Sequence, residues 1–246
     1  MKAPTIGCMQ EIPSELVEGA RKGNKDAVVE VLAIHYPLVW RMATGLTGRS
    51  DVGRGVAKFV MQQSLGMLES WKDDGAPTRW FLHHTVLTVR RTQKHQPDRQ
   101  NDVFLAGAQN EPGYVAFVRG MRTMPLQQRE AFVLTHCERL DIRTLAVAMD
   151  CSTTAAANHL QVATDHLVML SQKEFDAHVA RMRQAYQALS PDEELSLKDI
   201  RRNVRRWLLP WLIGRLVRPV VALVLLIGAA WGGLWVWRIV SHSLVE

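Results

Sequence analysis

The sequence lacks the residue patterns of most enzymes and metalloproteins. Its three cysteines, Cys8, Cys137 and Cys151, are an odd number without metal-ligand spacing, which is typical of reduced cytosolic thiols and argues against a metal site. There is no P-loop, nucleophile elbow or HExxH motif, so we expect neither an enzyme nor a bound cofactor. The N-terminus has no basic and apolar signal sequence, so export of the N-terminal part by that route is not expected.

Residues that build sheets are few beside Ala, Leu, Val, Met, Arg and Gln, so the sequence predicts an all-α fold. Apolar residues recur at helical spacing along the first part of the chain. They predict a four-helix module, residues 14–91, with two helices in 14–46 interrupted near Gly23 and Pro37, a third at about 51–71 and a fourth from 77 to about 91.

A second group of helices follows residues 92–113, a polar and turn-rich segment that we interpret as a linker. The turn Asp150-Cys151-Ser152 joins a short helix to a longer one, which is the pattern of a helix-turn-helix. This second module, residues 114–170, is predicted to contain helices at 114–124, 126–138, 142–149 and 153–170. A helical connector with a basic end is expected at residues 171–218.

Acidic residues are almost absent between Lys198 and Arg218. This stretch holds seven basic residues and one acid, Asp199, and its net charge of +6 equals that of the whole chain. The other 23 basic and 23 acidic residues balance, so the high isoelectric point comes from this stretch alone. Two interpretations stay open, a contact with anionic lipid and a nucleic-acid patch.

Charge is absent altogether from Pro219 to Trp237, 19 residues that would measure about 28 Å as a helix. This run predicts one transmembrane helix, with the lipid bilayer as a partner. Because Lys and Arg are concentrated before it, we expect a single-pass protein of the cytoplasmic membrane with its N-terminal body in the cytoplasm. The residues expected in or beside the membrane are Arg205, Arg206, Arg215, Arg218, Trp231, Trp235 and Trp237.

Short motifs occur in a consistent order along both modules. The stretch from Met124 to Leu134, MPLQQREAFVL, is similar to LPxxQREAFVL, and Leu145 to Met149 stands where an EIAxxLG segment would follow. The first module has three shorter stretches that are similar to segments of the protein family in which those two motifs occur: Gly23 to Ala27, Tyr36 to Val39 and Pro77 to Leu82. In this order, the motifs of residues 14–170 resemble bacterial sigma factors of the extracytoplasmic-function (ECF) type, in which regions two and four are helical domains joined by a linker.

The resemblance implies a protein that binds the core of RNA polymerase, reads the minus-thirty-five element of promoter DNA with its helix-turn-helix and helps to melt the minus-ten element. Polar side chains on the recognition helix are expected to meet base edges or phosphates, namely Thr153, Thr154, Asn158, His159 and Gln161. Minus-ten contacts are expected from Arg79, Trp80, His83, Arg90 and Arg91. Contacts with polymerase core are expected from Asp51, Arg54, Lys58 and Gln62. Trp80 as a core aromatic and Arg90-Arg91 as a solvated helix end remain alternatives.

The chain departs from the family's pattern in two helices. From Thr153 to Leu170 there is no Lys or Arg and one acid, Asp165, so we predict weak DNA binding unless polymerase or another partner contributes the rest of the affinity. Where the family has an acidic DAEDxxQE pattern, this chain has basic residues together with Gly53 and Gly55, so the polymerase-binding helix is expected to start later than it does in the family.

The leading hypothesis is a membrane-tethered sigma factor that directs RNA polymerase to promoters in DNA-templated transcription initiation. The alternative is a membrane-anchored sigma-like interaction protein that has lost promoter recognition. The sequence leaves open whether a separate anti-sigma protein is a further partner.

Overall fold

A computed structural model describes residues 12–93, 102–108, 110–208, 228–229 and 231–232 of the chain. The predicted all-α class is confirmed, since regular structure in these residues is entirely helical. The α-helices are α1 (Ser14–Arg21), α2 (Lys25–Thr47), α3 (Ser50–Ser64), α4 (Ala76–Gln93), α5 (Pro112–Thr123), α6 (Leu126–His136), α7 (Ile142–Met149), α8 (Thr153–Ser171), α9 (Phe175–Ala188) and α10 (residues 193–208).

Helix α2 is the centre of the first module and packs against α1, α3 and α4. The predicted interruption at Gly23 is confirmed, because Gly23 has a φ of 76° between α1 and α2. The Asn24 side chain caps α2 by accepting bonds from the backbone N–H groups of Asp26 and Ala27. The predicted interruption at Pro37 is wrong, since α2 continues through it. Proline removes only one backbone donor, and burial of Tyr36 and Val39 on either side offsets that loss.

Helices α2 and α3 approach each other closely at Gly53. A β-carbon at Gly53 would lie 2.0 Å from the Thr44 hydroxyl oxygen, so only glycine fits there. Helix α3 begins at Ser50, close to the predicted start at about residue 51 and before both of its glycines. Gly53 is therefore a packing residue at the contact between two helices.

Part of the predicted linker is packed against the two modules. Residues 102–108 place Phe104 in the interior, and the Asp102 carboxylate accepts two bonds from the Arg122 guanidinium on α5. Arg122 also donates to the Leu46 carbonyl oxygen at 2.9 Å, which joins α5 to the end of α2. Residues 94–101 and 109 of the predicted linker lie outside the described residues.

Both predicted modules belong to one packing unit, residues 1–204, and residues 205–246 form a second unit. Within the first unit α4 packs against α7, and α2 packs against α6. Arg41 on α2 pairs with Glu138 at 3.0 Å, and the Tyr186 hydroxyl on α9 donates to the same carboxylate at 2.6 Å. The helix-turn-helix is therefore held against the first module.

The prediction of a transmembrane helix requires correction. Among the described residues, no helix combines the length and the apolar character that crossing a bilayer requires. The longest of them, α2, carries Lys25, Asp26, Glu30 and Arg41, so it is amphipathic rather than apolar on every face. The predicted single-pass location in the cytoplasmic membrane depended on the predicted transmembrane helix, so the structure does not support this location either. Of the predicted span 219–237, the structure describes only residues 228–229 and 231–232.

Candidate polymerase and nucleic-acid interface

The helix-turn-helix is specified by local capping at both sides of its turn. The Asp141 carboxylate caps the start of α7 by accepting from the backbone N–H groups of Arg143 and Thr144. Asp150 ends α7 in the left-handed region at φ 56°, and the Ser152 hydroxyl then caps α8 by accepting from the Ala155 N–H at 3.1 Å. The predicted boundaries of α7 and the predicted turn at Asp150-Cys151-Ser152 are confirmed.

The N-terminal half of α8 presents a polar face to solvent. Thr153, Thr154, Asn158 and Gln161 are exposed, and His159 is half-buried, whereas Ala156, Ala163 and Leu167 pack into the module. Four of the five predicted recognition residues can therefore reach a ligand without a change in the fold.

The electrostatics of this face are unusual for a surface that binds phosphate. The Gln161 amide donates to the Asp165 carboxylate at 2.8 Å, which places the helix's one negative charge beside the predicted reading residues. Helix α8 itself contains no cation. The nearest basic residues along the chain are Lys173, just after the end of α8, and Arg143 and Arg139, in the first turn of α7 and in the loop before it. All three are exposed.

The predicted minus-ten residues on α4 are in four different environments. Arg79 is exposed and pairs with Asp73 at 2.7 Å, which lowers the pKa of that carboxyl group. The Trp80 ring is half-buried and stacks on His84, one turn along the same helix, at 4.0 Å between ring centroids. His83 is half-buried with its ring edge-on to His84, and Arg91 is exposed.

Arg90 forms an ion pair that joins the two modules. Its guanidinium binds the Glu130 carboxylate on α6 through Nε at 3.0 Å and Nη2 at 2.7 Å, and Nη2 also donates to the Met149 carbonyl oxygen at 2.9 Å. Glu130 lies within the REAF part of the QREAFVL motif and has a side chain with no exposed surface. In this arrangement Arg90 is not presented to a nucleic acid.

The predicted polymerase-contact residues lie along one side of α3. Asp51 is exposed at its start and pairs with Arg49 at 2.6 Å, and Gln62 is exposed near its end. Between them Arg54 binds the Asp199 carboxylate on α10 at 3.0 Å, and Lys58 lies 3.9 Å from the other oxygen of the same group. The middle of this surface is therefore covered by α10, while its two ends are open.

The residues predicted beside the membrane lie in the second unit. Arg205 and Arg206 are exposed at the end of α10, and Trp231 is 74% exposed. Arg215, Arg218, Trp235 and Trp237 lie outside the described residues.

Three residues that matter at these surfaces are absent from the predicted set: Glu130, Asp199 and Asn203. Each bonds to a group at least 40 positions away in sequence, so helical periodicity carries no signal for the contact. The sequence did contain one signal that could have drawn attention to Asp199, because it is the single acid within the basic stretch from Lys198 to Arg218.

Comparison with known proteins does not assign the chain to a family. No protein-family model matches it, and a search of curated proteins finds no match.

Proposed function

We propose that this chain is a sigma-like transcription factor that binds the core of RNA polymerase and directs it to promoter DNA. The observation that carries the proposal is the helix-turn-helix of α7 and α8, whose second helix exposes Thr153, Thr154, Asn158 and Gln161 on one face. Amides and hydroxyls in this position can reach base edges in the major groove, where an Asn side chain can make two bonds to adenine.

The first module supports the same proposal from the polymerase side. Arg54 and Lys58 on α3 form a cationic surface that takes up a carboxylate on a neighbouring helix. Helix α4 carries Arg79, His83 and Arg91 outside the contact between the modules, beside the half-buried ring of Trp80. Proteins that bind single-stranded DNA commonly combine cations, which contact the phosphates, with an aromatic ring on which a base stacks.

A specific observation favours a second candidate function, a sigma-like interaction protein that has lost promoter recognition. The Asp165 carboxylate beside Gln161 repels phosphate, and Arg90 is occupied by Glu130. Without cations on α8, non-specific DNA affinity falls, because counterion release from phosphates supplies most of that affinity.

The test is transcription by purified core RNA polymerase from a bacterium, with and without the full chain, on fragments of genomic DNA. We expect transcripts with defined starts that depend on the chain. Asn158→Ala should reduce them by about 5- to 150-fold, which corresponds to the loss of one bidentate base contact. Gln184→Ala, on the exposed side of α9, is the matched control and should leave transcription unchanged.

Two other outcomes decide between the candidates. Binding of the chain to core polymerase without any dependent transcript would favour the interaction protein. The sigma-like proposal would be refuted if a sample that is helical by circular dichroism showed no binding to core polymerase and gave no transcripts.

A further inference from the structure

One side of α10 is buried against the first module, although α10 carries more Lys and Arg residues than any other described helix. Ser196, Asp199, Ile200, Asn203 and Val204 recur at helical spacing and are all buried. The exposed side carries Lys198, Arg201 and Arg202. Amphipathic spacing of this kind indicates that α10 is fitted to a surface of its own chain.

That surface is the face of α3 on which the predicted polymerase contacts lie. Asp199 binds Arg54 and lies within ion-pair distance of Lys58, and the Asn203 amide, one turn further along, donates to the Lys58 carbonyl oxygen at 3.1 Å. Tyr36 on α2 interacts with Ser196 and Asp199, and burial together with the Asp199 charge raises the pKa of Tyr36. Helix α10 therefore contacts both α2 and α3.

The charge arrangement on this surface is specific. Asp199 is the only acid among the eight charged residues from Lys198 to Arg218, and it is the one that faces two cations on α3. An external helical partner would have to offer a carboxylate in the same place, because Asp199 is the acid that pairs with Arg54 and Lys58 within the described part of the chain.

We propose that Arg54 and Lys58 form a docking surface for a helix bearing a carboxylate, and that α10 occupies this surface as an internal competitor of polymerase core. This inference rests on the proposed function, because the docking surface is the one that polymerase core would use. It follows that core binding requires displacement of residues 193–204 from α3. The affinity of the full chain for core is lowered by the free energy of that displacement.

The experiment measures binding of purified core RNA polymerase to three full-length proteins: wild type, Asp199→Lys and Glu194→Lys. Asp199→Lys places a cation against Arg54 and Lys58 and should release α10. Glu194→Lys makes the same charge change at an exposed position of the same helix and is the matched control. Amide hydrogen exchange over residues 196–204 reports in parallel whether α10 has left α3.

We expect Asp199→Lys to exchange faster over residues 196–204 and to bind core about 5- to 150-fold more tightly than wild type, the usual range for coupling between two sites. Glu194→Lys should match wild type in both measurements. If Asp199→Lys does not fold, Asp199→Asn removes the charge without adding bulk, and the same comparison applies.

The outcomes separate this inference from the function on which it rests. Equal core affinity of wild type and a variant with released α10 would overturn the competition while leaving core binding intact. Unchanged exchange in Asp199→Lys would overturn the role of Asp199 in holding α10. Release of α10 without core binding by any of the three proteins would overturn the inference and the polymerase-binding function together.

Discussion

His35 lies in the interior of the first module, where it is 3% exposed and its ring stacks on Phe81 at 4.4 Å between centroids. Its Nδ1 faces the Val31 carbonyl oxygen at 2.8 Å, and its Nε2 faces the Thr78 hydroxyl at 3.1 Å. Because a carbonyl oxygen can only accept, Nδ1 carries the proton and Nε2 accepts from Thr78. Burial lowers the pKa of His35 to about 4, so the folded protein holds this imidazole neutral at physiological pH.

We predict that His35 makes the folded state lose stability as the pH falls. Unfolded His35 takes up a proton near pH 6.5, whereas folded His35 resists it down to about pH 4, so the unfolded state binds more protons between these values. Stability is retained above pH 6.5 and declines below it, by about 3 kcal/mol once the pH has passed below the folded pKa.

Urea denaturation of wild type and His35→Gln at a series of pH values measures this effect. The free energy of unfolding should depend less steeply on pH in His35→Gln, whatever its stability at neutral pH. Some dependence should remain, since burial also lowers the pKa values of His84 and His136. Identical slopes for the two proteins would show that His35 does not carry the linkage.

At the scale of the single helix, α3 contains two glycines with opposite roles. A β-carbon at Gly53 would meet the Thr44 side chain and backbone at 2.0 to 3.0 Å, whereas one at Gly55 would meet nothing within 4 Å. Gly53 therefore permits the close contact between α2 and α3, and Gly55 only adds conformational freedom to the unfolded chain.

We predict that Gly55→Ala raises the free energy of unfolding by about 1 kcal/mol, the difference in helix propensity between the two residues. Gly53→Ala should lower it by about 1 to 3 kcal/mol, because the added methyl group forces α2 and α3 apart. The two variants are matched in chemistry and lie two positions apart on one helix. Urea denaturation measures both, and a change of the same sign in both proteins would contradict the assignment of roles.

Helices were predictable from the sequence where local signals determine them. The ends of α7 follow from Asp141 and from the turn at Asp150, and the start of α8 follows from Ser152, which are all caps encoded next to the helix. Pro37 gave the wrong local prediction, because tertiary packing around Tyr36 and Val39 outweighs the loss of one backbone bond.

The candidate site was predictable only in part, because some of its contacts depend on tertiary packing and not on local sequence. The exposed face of α8 follows from its periodicity, which separates Thr154 and Asn158 from buried Ala156 and Ala163. The pairing of Arg90 with Glu130, or of Arg54 with Asp199, depends on how helices far apart in sequence pack. Charge alone allows many partners for each arginine, so these contacts required the structure.

At the scale of the whole molecule, the first unit is held in a closed arrangement by charged groups at the contact between its modules. Arg90 reaches from α4 to Glu130 on α6, and Arg41 reaches from α2 to Glu138. Burial raises the pKa of Glu130, and Arg90 opposes that shift. The proposed function places the two modules on separate promoter elements, and under that proposal the strength of these pairs sets how easily the modules separate.

We predict that Arg90→Ala destabilises the folded chain by about 3 to 5 kcal/mol, because the buried Glu130 carboxylate loses its partner and keeps the cost of its burial. Arg91→Ala removes the same side chain from the adjacent, exposed position and should change the free energy of unfolding by less than about 0.5 kcal/mol. The double variant Arg90→Ala with Glu130→Gln should recover part of the loss, since it no longer strands a charge.

Urea denaturation, followed by far-ultraviolet circular dichroism and by tryptophan fluorescence, measures all four proteins. In wild type the two signals should report one transition, because the modules share a buried ion pair and unfold together. In Arg90→Ala the signals should separate if the modules can then unfold one after the other. Equal stability of Arg90→Ala and Arg91→Ala would contradict the prediction, and the closed arrangement would then depend on the Arg41–Glu138 pair and on apolar contacts instead.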